Sequence, residues 1–218
     1  MHLLDAWTSL TPFDLLRLLG IPLAVLLATL LPGRGITRMA ALVGAACVAL
    51  LHEIDAPWAV RVGWTLLWLL VAGWAGAESH DGAKPPRARR GGFESGVLAL
   101  PLGLGLLGLL LAAVSRQVLS PLDERRAALG ALALGAGLLH LMMRRHIRRA
   151  TLAFASMGLG LELLAAAARS ADVTHVGTPA GAPLVGALLV AALTARIAAA
   201  RERYAGSPLV SEAHELRD

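Results

Sequence analysis

Residues 140–169 read HLMMRRHIRRATLAFASMGLGLELLAAAAR, in which four arginines fall within six positions and a single carboxylate, Glu162, then interrupts an apolar run. Holding an ionised group at the centre of a membrane helix costs around 2.5–3.5 kcal/mol on insertion scales, so a carboxylate kept there is a candidate functional group. Glu162 should either carry a proton or face a partner helix or a wet path. A proton-relay role and a hydrogen-bonded packing role stand side by side. The other charge within an apolar run is Arg61 of WAVRVGWTLLWLLVAGWAG, three positions after Trp58. From there a long side chain can reach the headgroup region.

Other chemistries are poorly served. A bis-histidine haem site needs two histidines at matched depth on facing helices. His52 falls at one end of its run, His140 about one turn from the opposite end of another, His146 in a basic turn and His175 in a loop. His80, His140 and His146 share one side, which keeps a haem-binding anchor open as an alternative. The only lysine, Lys84, lies between runs and excludes a retinal-type Schiff base. GLGLLG at 103–108 has the letters of a dinucleotide fingerprint, but it sits inside an apolar run, where small residues let helix backbones approach closely. Pro101 beside it is expected to be tolerated between neighbouring helices. Trp64 and Trp68 lie one turn apart and share a face, as packing or lipid-facing aromatics. A single cysteine, Cys47, rules out an internal disulfide, a four-cysteine cluster and a CxxC zinc site.

These residues must be positioned by membrane helices. The chain has 218 residues, 56% of them hydrophobic and 16% charged, and a mean hydropathy of +0.65. That balance is outside the range of an ordinary soluble domain. Seven apolar stretches are bounded by charge, proline or glycine: 15–32, 36–52, 58–76, 95–115, 127–143, 151–168 and 181–200. They predict an all-α integral membrane fold, a bundle of about seven transmembrane helices occupying residues 1–200 as one domain. Residues 78–92, ESHDGAKPPRARRGG, form the longest loop, and residues 201–218 a polar tail. Asp5 and Asp14 with no early basic cluster argue against a cleaved signal peptide.

The net charge of +5 is carried in short basic clusters between runs, the pattern of orientation signals rather than of nucleic-acid binding. Alternating the seven stretches across a membrane puts fourteen of the 20 Lys and Arg residues on one side. Arg17, Arg116, Arg125, Arg126 and Arg169 fall on the other. The positive-inside rule then places the N-terminus outside and the C-terminus in the cytoplasm. Arg144, Arg145, Arg148 and Arg149 would fix that orientation and hold anionic lipid or a peripheral partner.

The stretch GAGLLHLMMRRHIRRATLAFASMGLGLELLAAAA resembles the membrane component E of hydrogenase-4 type complexes, which is distantly similar to the K subunit of respiratory complex I and the C subunit of Mrp antiporters. Those proteins join a glycine- and leucine-rich helix, through a short basic turn, to a helix with an embedded glutamate. Here Arg144, Arg145, His146, Ile147 and Arg149 occupy the turn. Where the family has a Glu-Asn-Gly type motif this chain reads Gly158-Leu159-Gly160, and its carboxylate comes one turn later.

The resemblance implies a non-catalytic subunit of a complex I-like or membrane-bound hydrogenase-like assembly in a bacterial cytoplasmic membrane. It would pack against antiporter-like subunits and contribute to proton translocation. Glu162 would be the relay carboxylate, Arg61 a charge partner and His140 an inner-side proton donor. No cofactor is expected on this chain, with iron–sulfur or other metal centres confined to partner subunits. A stand-alone small transporter is the alternative beside the haem anchor.

Overall fold

A computed structural model describes residues 10–31, 34–76, 93–143, 147–171 and 179–205. All regular structure among them is helical, in seven helices. We label these α1 (Pro12–Leu30), α2 (Arg34–Leu50), α3 (Trp58–Gly76), α4 (Phe93–Ser115), α5 (Pro121–Met143), α6 (Ile147–Ala171) and α7 (Ala182–Ala205). Four of them, α1, α5, α6 and α7, are long and apolar enough to cross a membrane. Helices α2, α3 and α4 carry shorter apolar stretches. The expected readings of loop 78–92, of Arg144, Arg145 and His146, and of residues 206–218 lie outside the described residues, as does the side chain of Arg148.

Each apolar run has become a helix, but several ends differ from the runs. Helix α5 begins at Pro121, not at residue 127, because Ser120-Pro121-Leu122-Asp123 is a capping box. The Asp123 N–H donates to Ser120 Oγ at 3.2 Å, and Ser120 Oγ donates to Asp123 Oδ2 at 2.6 Å. Thr11-Pro12-Phe13-Asp14 repeats the device at α1, with the Asp14 N–H donating to Thr11 Oγ1 at 3.2 Å. Proline suits the first helical position because the N–H it lacks would have no intrahelical partner. Both boxes draw charged residues into helices. Arg125 and Arg126 stand on α5 instead of in a loop. Helix α7 runs on to Ala205, so the first residues of the expected tail are helical.

The bundle is built around α6, which touches α1, α2, α3, α5 and α7. Its closest partner is α5, and glycine is the reason. A Cβ on Gly160 would lie 2.6 Å from the Gly130 carbonyl oxygen and 2.7 Å from the Leu134 nitrogen, both of them backbone atoms that have no room to yield. Seven residues after Gly130 on α5 and seven before Gly160 on α6, Gly137 faces Ala153, and a Cβ there would meet the Ala153 carbonyl oxygen at 2.7 Å. Such stacking allows the dispersion contacts on which helix association in lipid depends.

The large aromatics fill the centre. Trp64 and Trp68 are fully buried. Trp64 lies over Gly158 of α6, and Trp68 over Gly44 of α2. The shared face expected of this pair is therefore a packing face. Helix α4 leans on α5, with Gly103 of the GLGLLG run against Leu139, and α7 lies on α6 with most of its apolar surface exposed.

Candidate functional site

Glu162 leaves α6 at the level where α3 and α7 begin. Its side chain is fully buried. Both carboxylate oxygens accept from the Gly181 N–H, Oε2 at 3.1 Å and Oε1 at 3.3 Å. Oε1 also accepts from Arg169 Nη2 at 3.3 Å. Arg169 stands seven residues along the same helix, about 10 Å further toward its C-terminus at 1.5 Å per residue. Side chains on a helix lean toward its N-terminus, so the Arg169 guanidinium folds back down α6 to meet the carboxylate.

Gly181 is the N-cap of α7: its carbonyl accepts the first helical hydrogen bond, from the Val185 N–H at 3.1 Å. The Glu162 carboxylate thus holds a free N–H at the positive end of a neighbouring helix, the favourable place for a negative charge. Gly181 has φ +92°, a region that side chains other than glycine rarely enter. A Cβ there would also lie 2.9 Å from Val60 Cγ2 of α3. One glycine lets α3, α6 and α7 meet.

The same end of the bundle carries a wider ionic layer, centred on residues 51–57, LHEIDAP, which join α2 to α3. Three arginines from three other helices close on this segment. From α1, Arg17 donates to the Leu50 carbonyl at 3.1 Å and to Glu53 Oε1 at 2.9 Å. From α5, Arg126 donates through Nε to the Glu53 carbonyl at 3.0 Å and through Nη1 to Asp123 at 3.1 Å, with Asp55 at 4.0 Å. From α6, Arg169 adds a bond to the Asp55 carbonyl at 3.4 Å. Glu53, Asp123 and Arg126 are buried, so these bonds lie where water does not compete for them. Leu51 and Pro57 still bond to the helices on either side, but the Glu53 and Asp55 carbonyls between them have no helical or sheet partner. Arginines supply the donors.

The three expected relay residues occupy different places. The contact of Gly130 with Gly160 and Leu164 puts Glu162 near the depth of Gly130, ten residues and about 15 Å along α5 from His140. His140 is fully buried, and its Nδ1 lies 2.8 Å from the Thr29 hydroxyl of α1. Thr29 Oγ1 in turn donates to the Val25 carbonyl at 2.7 Å. Arg61 is part-exposed on α3, in a shallow groove outside the ionic layer. His52, in the segment joining α2 to α3, is exposed at the end opposite His140, so the two described histidines do not form a matched pair. Among the described residues no group of three or more His, Cys, Asp or Glu side chains is placed to hold a metal ion. Arg149 is half-buried on the first turn of α6.

Arg17, Arg126 and Arg169 entered the sequence reading only as charges to be counted, and Glu53 and Asp55 did not enter it at all. The signal that could have found them is compositional. Glu53, Asp55 and Asp123 fall in the same set of chain ends as Arg17, Arg126 and Arg169, so opposite charges are gathered on one side of the bundle. No family model, curated protein or solved structure matches this chain.

Proposed function

We propose that this chain is a non-catalytic membrane subunit: a seven-span helical scaffold, N-terminus outside and C-terminus in the cytoplasm of a bacterial inner membrane, that packs against antiporter-like subunits of a complex I-like or hydrogenase-like assembly. The observation that carries the reading is the engagement of Glu162. Its carboxylate is held by Arg169 and by the N-terminus of α7, so the charge in the middle of the apolar run secures one helix to another. Interior polar groups elsewhere act in the same way. Ser156 Oγ of α6 donates to the Ala133 carbonyl of α5 at 2.7 Å, and Thr29 of α1 meets His140 of α5.

In this role Glu162 is a latch. Proton transfer through it would first have to free it from Arg169, so proton traffic is assigned to the partner subunits. The redox centres belong to those partners as well. The orientation rests on the basic residues, fourteen of 20 on the side of the Arg144–Arg149 turn. The ionic layer supports it, because arginines on the opposite side are tied to acids of the same layer.

The test is a mild-detergent pull-down of the tagged chain from its native membrane, with mass spectrometry of what accompanies it. Antiporter-like and iron–sulfur subunits are expected. Recovery of the chain alone, with transport activity or a Soret band in the purified protein, overturns the reading. Single cysteines at Gln117 and Lys84 in a Cys47→Ser background test orientation, the first labelled from outside and the second only after permeabilisation.

A further inference from the structure

Helix α3 presents Trp58, Arg61, Val62, Thr65 and Leu66 on one stripe, at spacings of three and four residues. With Ala49 of α2 they line a shallow groove of about 350 Å³. Trp58 is 77% exposed, and Val62 and Leu66 are each about half exposed. Thr65 turns its hydroxyl to the Arg61 carbonyl at 3.0 Å, so it presents little polarity to the groove. The Arg61 guanidinium is left as the one charge along an otherwise apolar wall. Among the described residues no acid or carbonyl engages it, whereas Arg17, Arg126 and Arg169 at the same end of the bundle are all bonded.

We infer that this groove is a binding site for one anionic phospholipid, whose phosphate lies against Arg61 beside the Trp58 indole and whose acyl chain follows Val62 and Leu66. Three features of the stripe match the order of a lipid from its headgroup inward. Indole favours the headgroup boundary. A guanidinium one turn deeper pairs with phosphate through two parallel N–H bonds. Below it, Val62 and Leu66 with Ala49 offer an apolar channel, and Trp58 to Leu66 covers about 12 Å of helix axis. Charge complementarity selects the occupant: a neutral protein helix would leave the cation facing hydrocarbon, and a zwitterionic lipid would bring its own ammonium to the phosphate.

The inference rests on reading α3 as a membrane helix. Its test is native mass spectrometry of the full chain released from nanodiscs containing equal phosphatidylglycerol and phosphatidylcholine, with Arg61→Gln, Arg61→Lys and Arg38→Gln alongside. Arg38 is exposed near the other end of the bundle and controls for overall charge. The wild-type chain is expected to retain one phosphatidylglycerol in preference to phosphatidylcholine. Arg61→Gln should lower that preference about fivefold, the effect of one basic residue at an anionic surface. Arg61→Lys should keep part of it, and Arg38→Gln all of it. An unchanged helical spectrum and melting temperature for Arg61→Gln separates lipid loss from misfolding. Equal retention of the two lipids by the wild-type chain, or the same preference in Arg61→Gln, overturns the headgroup site. If quenching by brominated lipid leaves the indoles of α3 untouched, the membrane reading of that helix fails instead.

Discussion

Replacing Glu162 by glutamine keeps the shape of the side chain and removes its charge. The amide oxygen still accepts from the Gly181 N–H, so that bond falls from charged to neutral, a loss of about 1 kcal/mol. The Arg169 pair is lost outright. Breaking a buried pair by removing one partner costs about 3–5 kcal/mol. Arg169 keeps 21% of its side-chain surface and its bond to the Asp55 carbonyl, however, so its guanidinium is not stranded, and about 1–3 kcal/mol applies. Together the two terms predict a destabilisation of about 2–4 kcal/mol. Reversible unfolding in mixed micelles, followed by circular dichroism, measures it. In a double-mutant cycle with Arg169→Met, the second substitution should cost about 1 kcal/mol less once Glu162 is already glutamine. A Glu162→Gln protein within 0.5 kcal/mol of wild type, or a coupling near zero, would refute the latch on the ~0.3–0.5 kcal/mol scale at which independent sites add. A residue serving only as a proton carrier would give that result, with the loss appearing in pumping alone.

Gly181→Ala should cost about 1–2 kcal/mol from its left-handed backbone alone and more from the approach of Val60. Val60→Ala should recover the second part and leave the first, as read in the same unfolding assay. Gly44→Ala drives a methyl into two ring carbons of Trp68 and should destabilise strongly, with Trp68→Leu restoring most of the loss. A thermal shift series on the two single variants and the pair checks this. Arg126→Met removes the donor to the Glu53 carbonyl and leaves Asp123 with its Ser120 bond but no cation; faster amide exchange confined to residues 51–57 is the expected signature. Ser156→Ala deletes one neutral interhelical bond and should cost about 1 kcal/mol by unfolding.

The helices were legible because lipid leaves the backbone little choice: an apolar run bounded by charge, proline or glycine becomes a helix that bonds to itself. Their ends were less so. At α5 the boundary lies six residues before the apolar run, because Ser120 and Asp123 cap a helix whose first turns are charged, a local signal that hydropathy alone does not register. Glu162 could be picked out by its rarity, but its partners could not. Arg169 lies seven residues away, a spacing shared by many pairs, and Gly181 nineteen, across a connection with no rule linking the two. Glu53 and Arg126 are 73 residues apart and meet only once α1, α2 and α5 are assembled. Arg61 was legible as a charge within an apolar run. That it stands apart from Glu162 followed only from the way α3 packs.

The clamp on residues 51–57 also sets an order of events at the ribosome. When α3 leaves the exit tunnel, only Arg17 has been synthesised among the three arginines that close on this segment, so the Glu53 carboxylate can be neutralised while the Glu53 and Asp55 carbonyls still await donors. Those donors arrive with α5 and α6. The early three-helix portion is therefore translated as an unfinished unit whose polar end lacks its full set of donors until the later helices pack against it. Two separately expressed fragments, divided between α3 and α4, hold complementary charges at that end, and the arginines that complete the loop are the means by which the halves would find each other.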